Sequence, residues 1–265
     1  MRIVVCIKQV PATDDAKIDP VTKRIVREGM KAVLNPFDLY AVEEGVRLKE
    51  EFGGTVVAVT MGPPSAEKAL RECLSLGCDE AYLLSDRAYG GSDTWATSYA
   101  LAKGIAKIGD ADLVICGKQA VDGDTAQVGP GIAAHLDWQQ CTYVSKVLSF
   151  DCNELVAERM NEAGSDRVAL TLPAVLTVVK DINQPRVPSL RSVLASLEAE
   201  IPVWKPADIG ADVDKIGLNP SPTRVVKTAP PPPRSGETLH ISGDAAQAAA
   251  ALAAKLTQLG FTEGK

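Results

Sequence analysis

Gly117-Lys118-Gln119-Ala120-Val121-Asp122-Gly123-Asp124-Thr125-Ala126-Gln127-Val128-Gly129 is the stretch whose residue types are best suited to chemistry. It follows the apolar run Leu113-Val114-Ile115-Cys116, which reads as a buried strand, and leads into residues 128–136, which read as a short helix. A small, polar, glycine-bearing loop from a strand end into a helix start is where α/β proteins bind phosphates. Free backbone N–H groups and the helix dipole converge there. Gly123, Thr125 and Gly129 offer backbone and hydroxyl donors to a pyrophosphate. Gly91, Ser92 and Thr94, with Thr97 one helical turn on, offer the same from a second loop. Lys8 and Lys118 stand near strand ends and supply positive charge. Asp122 and Asp124 would repel a phosphate that they faced; they suit ribose hydroxyls or the cap of the next helix, and a plain cap serves Asp124 at least as well. No Gly-x-Gly-x-x-Gly and no Walker motif occurs. The loop therefore also reads as an ordinary strand-to-helix connection.

The elements that would position these groups follow in order. Residues 3–7 form an apolar strand. In Asn35-Pro36-Phe37-Asp38 the Asn suits a helix cap, Pro the first helical position and the acid the first turn, and the helix runs to about Phe52 before Gly53-Gly54. Residues 55–60 form a second strand, and Ser65 caps a helix ending near Gly77. Residues 81–84 form a third strand, residues 94–108 a helix and residues 113–116 a fourth strand. A small hairpin is placed around Asp19-Pro20. Alternating strands and helices with short connections imply a parallel sheet with right-handed crossovers. Its strand C-termini share one edge, so the loops at 8–11, 61–64, 85–94 and 117–127 share a rim, and ligands bind outside that rim where strand order reverses.

Residues 143–150, 155–160, 166–172 and 174–179 read as strands with turns between them, an antiparallel addition to the parallel sheet. Asn183-Gln184-Pro185-Arg186-Val187-Pro188-Ser189-Leu190 is a proline-stiffened loop. Leu190 starts a helix to about Leu197, or serves as a docking anchor. Residues 201–243 hold eight of the 17 prolines, including Pro230 to Pro233, which reads as an extended arm. The arm leads to an Ala-rich helix over 244–260, with Ala245, Ala248, Ala249, Leu252, Leu256 and Leu259 on one face. That face packs on a partner subunit or folds back onto the parent domain. The division is 1–200 for an α/β nucleotide-binding domain and 201–265 for the arm and helix.

Composition narrows the function classes. The 265 residues carry 46% hydrophobic and 23% charged side chains, as a globular protein with a proper core does. A net charge of −6 lacks the basic balance of a nucleic-acid protein. No 18-residue apolar run occurs, so no membrane insertion is expected, and the start Met-Arg-Ile-Val-Val carries no leader. Six scattered cysteines without a Cys-x-x-Cys pair and only two histidines argue against a metal site. Cys6 and Cys116 read as small core residues of a chain in a reducing cytoplasm.

Together these residues resemble the β (small) subunit of electron transfer flavoproteins, over nearly the whole chain. The specific elements are Asn35-Pro36-Phe37-Asp38 with Ala41-Val42-Glu43-Glu44, Met61-Gly62-Pro63, the 117–129 loop, and Asn183-x-Pro185-Arg186-x-Pro188-x-Leu190. The resemblance implies a Rossmann-like α/β fold akin to the adenine nucleotide α-hydrolases. It implies pairing with a larger α subunit that holds one FAD and is wrapped by the C-terminal arm. By position, Cys6, Asn35, Phe37, Asp38, Met61 and Lys118, Gln119, Asp122, Gly123, Asp124, Thr125, Ala126, Gln127, Val128 and Gly129 would form the pocket of an adenine nucleotide. Pro188 and Leu190 would belong to a loop recognising acyl-CoA dehydrogenases.

The family divides by that nucleotide. The housekeeping type holds a structural AMP. The bifurcating type holds a second FAD, which takes hydride from NADH and sends one electron to ferredoxin or flavodoxin and the other through the α-subunit FAD to a dehydrogenase. Residues 85–98 resemble the bifurcating type, and Gly91, Ser92, Thr94 and Thr97 would supply the extra rim that a second phosphate and an isoalloxazine need. FAD is the expected cofactor and AMP the alternative, with no side chain acting as acid or base. Gly90-Gly91-Ser92-Asp93 also faintly resembles the loop of ATP pyrophosphatases, which leaves open an adenylating enzyme or a nucleotide sensor.

Overall fold

The computed structural model describes residues 1–12, 32–151, 153–226 and 238–261. The chain divides into two compact units, Met1–Val226 and Lys227–Lys265. The hairpin expected near Asp19-Pro20 and the Pro230–Pro233 run lie outside the described residues.

The first unit is a three-layer sandwich. Its strands are β1 (Arg2–Cys6), β2 (Gln9–Pro11), β3 (Ala32–Leu34), β4 (Thr55–Met61), β5 (Glu80–Leu84), β6 (Leu113–Gly117), β7 (Gln139–Phe150), β8 (Glu154–Asn161), β9 (Gly164–Thr171), β10 (Ala174–Val178) and β11 (Val203–Trp204). Its helices are α1 (Pro36–Phe52), α2 (Glu67–Leu76), α3 (Thr94–Ile108), α4 (Val128–Leu136) and α5 (Leu190–Glu198). Nine strands form one sheet in the order β11-β5-β4-β1-β6-β10-β7-β8-β9, while β2 and β3 pair separately and antiparallel. The chain moves outward from β1 through β4 to β5, then crosses to the other side of β1 with β6. Strand order therefore reverses between β1 and β6, as the α/β reading requires.

Period-two alternation along each central strand feeds two cores. Ile3, Val5, Leu113, Ile115, Leu176 and Val178 pack with Val42, Val46 and Leu70 of α1 and α2. Val4, Cys6, Val114, Cys116 and Val175 pack on the opposite face with Tyr99, Leu101, Ile105 and Ile132 of α3 and α4. Gly129 and Gly131 allow α4 to sit close. A Cβ on Gly129 would collide with the Thr177 methyl, and one on Gly131 would lie 2.7 Å from the Ser98 Cβ.

Four expectations change. The antiparallel addition is smaller than expected: β10 runs parallel between β6 and β7, and the antiparallel pairings are β7 with β8 and β8 with β9. Its five residues are fully buried, and nothing in an apolar run states which neighbours it joins. Ser65 is no helix cap: a 3-10 turn over Pro64–Ala66 precedes α2, and the Ser65 hydroxyl donates to Gln9 Oε1 at 3.2 Å. Asn35 does not cap α1 with its side chain, for the reason given below. The boundary falls after Val226 rather than at residue 200. Residues 201–226 pack on the first unit: Trp204 stacks on Tyr82 at 4.3 Å between ring centroids, and Ile209 and Ile216 enter the α3/α4 core.

The second unit holds α6 (Ala245–Gln258), begun by a capping box in which Asp244 and Gln247 exchange hydrogen bonds. Within its unit α6 buries no residue, and Leu252, Leu259 and Phe261 are exposed. No helix among the described residues is long and apolar enough to cross a membrane.

Candidate functional site

The expected site residues gather on the rim but sort onto its two sides. Cys6 and Cys116 stand opposite each other at the ends of β1 and β6, in the α3/α4 core, with Met61 packed against it. Thr94 and Thr97 open α3, and Gln127, Val128 and Gly129 open α4. The Thr94 hydroxyl reaches Gln127 Oε1 at 3.5 Å, tying the two helix starts together. Asn35, Phe37, Asp38 and Lys118 lie on the α1 side. The hydrogen bond to Cys6, together with burial, pushes the Cys116 thiol well above its ordinary range, so it stays a neutral core group.

The start of α4 is the best-formed phosphate cradle. Its first residue follows Gln127, and no side chain caps it. The opening N–H groups of any helix lack intrahelical partners, and Pro130 removes one of them outright. Asp124 and Ala126 adopt positive φ, 54° each, turning the backbone tightly into the helix. The two acids of the loop are drawn away. Asp122 pairs with Lys8 Nζ at 2.6 Å, and Asp124 accepts from the Gln119 amide. Neither acid caps α4. With those carboxylates engaged, Gly123, Thr125 and the exposed backbone are left to meet an anion.

A buried clasp fixes this loop against β1 and α1. Asp38 Oδ2 accepts from the Lys8 N–H at 2.7 Å, and Oδ1 from Asn35 Nδ2 at 2.9 Å. The Gly117 N–H donates to the same carboxylate. Asn35 Nδ2 also donates to the Gln119 carbonyl at 2.9 Å, while its Oδ1 accepts from the Val121 N–H at 3.1 Å. Asn35 spends its side chain on the neighbouring loop instead of on α1, and it is 0% exposed. Burial pushes Asp38 up to about 7 despite its three donors. Asn35 and Asp38 thus shape the rim from beneath.

The second expected loop is occupied from within the chain. Gly91, at φ 80°, lies against Leu218, where a Cβ would come within 2.9 Å of the Leu218 Cβ. The Ser92 hydroxyl donates to the Tyr89 carbonyl at 2.8 Å and accepts from the Gly217 N–H at 2.8 Å. Asp93 caps α3 through the Trp95 and Ala96 N–H groups and also accepts from Thr223. Gly91 and Ser92 therefore hold residues 217–223, leaving Thr94 and Thr97 as the α3 contribution to the rim.

Residues 22–209 match the family described as the electron transfer flavoprotein domain. The chain belongs to the electron transfer flavoprotein family. It is 48% identical over 239 residues to an electron transfer flavoprotein subunit beta of Thermoanaerobacterium thermosaccharolyticum, covering 89% of this chain and 91% of that one. It is 46% identical over 259 residues to CarD of the caffeyl-CoA reductase-Etf complex of Acetobacterium woodii, covering 97% and 98%. It is 48% identical over 268 residues to Protein FixA of Azotobacter vinelandii, covering 97% and 95%. The electron transfer flavoprotein chain described here is of the beta-subunit type.

In this electron transfer flavoprotein subunit the 183–190 segment is braced on α1. Asn183 donates to the Tyr40 carbonyl and Glu44, and Arg186 bridges Glu43 and Glu50 with contacts of 2.6 to 3.1 Å. Pro188 is half-buried. Ser189 caps α5, so Leu190 does begin a helix, yet it is 76% exposed, with Leu194 and Leu197 exposed on the same face.

Thr177 and Ser98, the buried groups that seat α4, went unread in the sequence. Thr177 Oγ1 accepts from the Tyr143 N–H at 3.2 Å. Its one signal is a hydroxyl in an otherwise apolar strand.

Proposed function

We propose that the chain is the small subunit of a heterodimeric electron transfer flavoprotein whose rim holds FAD. Cys6, Met61, Thr94, Thr97 and residues 119–129 would contact the cofactor. The observation that carries this reading is the uncapped start of α4 at the β1/β6 reversal, with both loop acids tied to Lys8 and Gln119. FAD, when bound, supplies hydride acceptance from NADH and delivery of single electrons, one to ferredoxin or flavodoxin and one through the α-subunit FAD to an acyl-CoA dehydrogenase. The chain's own residues do no proton chemistry in this reading. They bind phosphate through backbone N–H groups, keep carboxylates away from it and hold the ring system in a fixed orientation. Pro188, Leu190 and the exposed face of α5 would meet the dehydrogenase, and α6 the α subunit. The described cysteines are free and buried, which supports a reducing cytoplasm.

A structural AMP is the second reading, and one observation favours it. Residues 217–223 occupy Gly91 and Ser92, which were to extend the rim for a flavin. Cofactor content after denaturation of the complex decides between them. Two FAD per heterodimer and no AMP support the flavin, with NADH reduction as the next test. One FAD and one AMP overturn it. ATP cleavage to pyrophosphate would instead revive the adenylating alternative.

A further inference from the structure

A cavity of about 680 Å³ opens beside the rim on the α1 side, lined by Phe37, Lys118, Tyr143, Arg159, Met160 and the Val179–Asp181 segment among others. We propose that it is a second ligand site, for a small anion carrying a planar ring, of the nucleotide class. The site does not depend on which nucleotide the rim holds.

Three observations carry this assignment. The first is charge. Lys118 Nζ sits 5.5 Å from the Phe37 ring centroid and 5.3 Å from that of Tyr143, and no carboxylate pairs with it among the described residues. Among the described residues Arg159 donates to the Thr142 carbonyl, at 3.1 Å, and the Thr142 hydroxyl, at 3.0 Å, and no carboxylate pairs with its cation. Lys180 adds a third cation to the lining; Glu162 and Asp181 also line it, and among the described residues neither forms an ion pair with any of the three. Unneutralised cations in a concave site favour an anion, and a guanidinium suits phosphate or carboxylate.

The second observation is backbone strain. Tyr143 has φ 60°, an uncommon conformation for a bulky residue, and it falls where the register of β7 shifts against β10, between Cys141 and Val144. Such irregularities re-aim side chains. Here the effect is to bring the Tyr143 ring, 38% exposed, to Lys118 and the cavity.

The third is shape and lining. The volume is in the range of small-molecule sites. Its apolar surface comes from Phe37, Tyr143, Met160 and Val179, and its cations from Lys118, Arg159 and Lys180. A planar ring rests on Tyr143 and Met160 while its phosphate meets Lys118 and Arg159. Cation and ring side by side distinguish this class from a simple anion.

Calorimetric titration with ADP tests the proposal, on the full chain alone and in complex with its partner subunit. Nucleotide released from each sample on denaturation gives the rim content separately. Both samples should bind ADP beyond that content, and inorganic phosphate should bind at least about tenfold more weakly, because it lacks the ring. Tyr143→Leu and Arg159→Gln should each weaken ADP binding by about tenfold or more, with rim content and melting temperature unchanged; Tyr143→Phe should retain it. Uptake no greater than the rim content, displacement of the rim nucleotide mole for mole, or equal uptake by both weakened variants overturns the proposal. ADP binding to the free chain that vanishes in the complex also overturns it, and assigns the cavity to a subunit contact. Loss of rim nucleotide with ADP binding intact would count against the proposed cofactor and leave this site standing.

Discussion

Asp38 is a carboxylate surrounded by donors and withdrawn from water. Its folded value of about 7 lies above its ordinary 3.8, so between those limits the folded chain holds more protons than the unfolded one. The sign follows: this residue makes stability fall as pH rises from about 4 to about 7, after which its contribution is flat. Urea unfolding of Asp38→Asn across that range should show a shallower decline than the parent chain. Asn also loses an acceptor for the Lys8 or Gly117 N–H, so the variant should be less stable at its best pH by about 1–3 kcal/mol. Gly117→Ala should be worse. The new Cβ would lie 2.7 Å from the Phe37 carbonyl carbon and meet the Asp38 carboxylate, with a cost of about 2–4 kcal/mol in thermal or urea unfolding. At this scale the sequence was only half legible. Asn35 and Asp38 were found as a pair, but cap statistics describe a helix in isolation. Here β1 and the 117–121 loop compete for the same side chains and win.

Local signals work best for elements. The ends of α3 and α4 and the four strands of the expected rim could be read because alternation, caps and glycines act over a few residues. The insertion of β10 between β6 and β7 could not, since strand pairing is decided by what else covers each face. The occupation of Gly91 and Ser92 by residues 217–223, more than 120 positions away in the chain, left no local trace either. Arg186 illustrates a bracing residue between elements. Its truncation to Ala should cost about 1–3 kcal/mol, because Glu43 is left buried without its partner, and should raise amide exchange over 183–189. Leu190→Ser and Leu194→Ser should behave oppositely. Both side chains are exposed, so unfolding should change by no more than about 0.5 kcal/mol. Electron transfer from the subunit complex to the proposed dehydrogenase should fall; unchanged transfer would remove α5 from partner contact.

At the scale of the molecule, the two compact units predict separable folding. A chain ending at Val226 should retain a cooperative transition within a few degrees of the full chain's. A broad or lost transition in scanning calorimetry would show instead that residues 227–265 belong to the same folding unit.

The nine-stranded sheet also has two ends. One is β11, only two residues long. The other is β9, whose sequence Gly164-Ser165-Asp166-Arg167-Val168-Ala169-Leu170-Thr171 puts neighbouring opposite charges on a row of backbone groups that no other strand pairs with among the described residues. A short end offers a second sheet almost nothing to bind, and a charged end makes binding costly. The sheet is thereby finished as well as formed. A protein whose sheet could be extended by its own copies would be lost to fibres, and Asp166 and Arg167 stand at the one long border where that loss would begin.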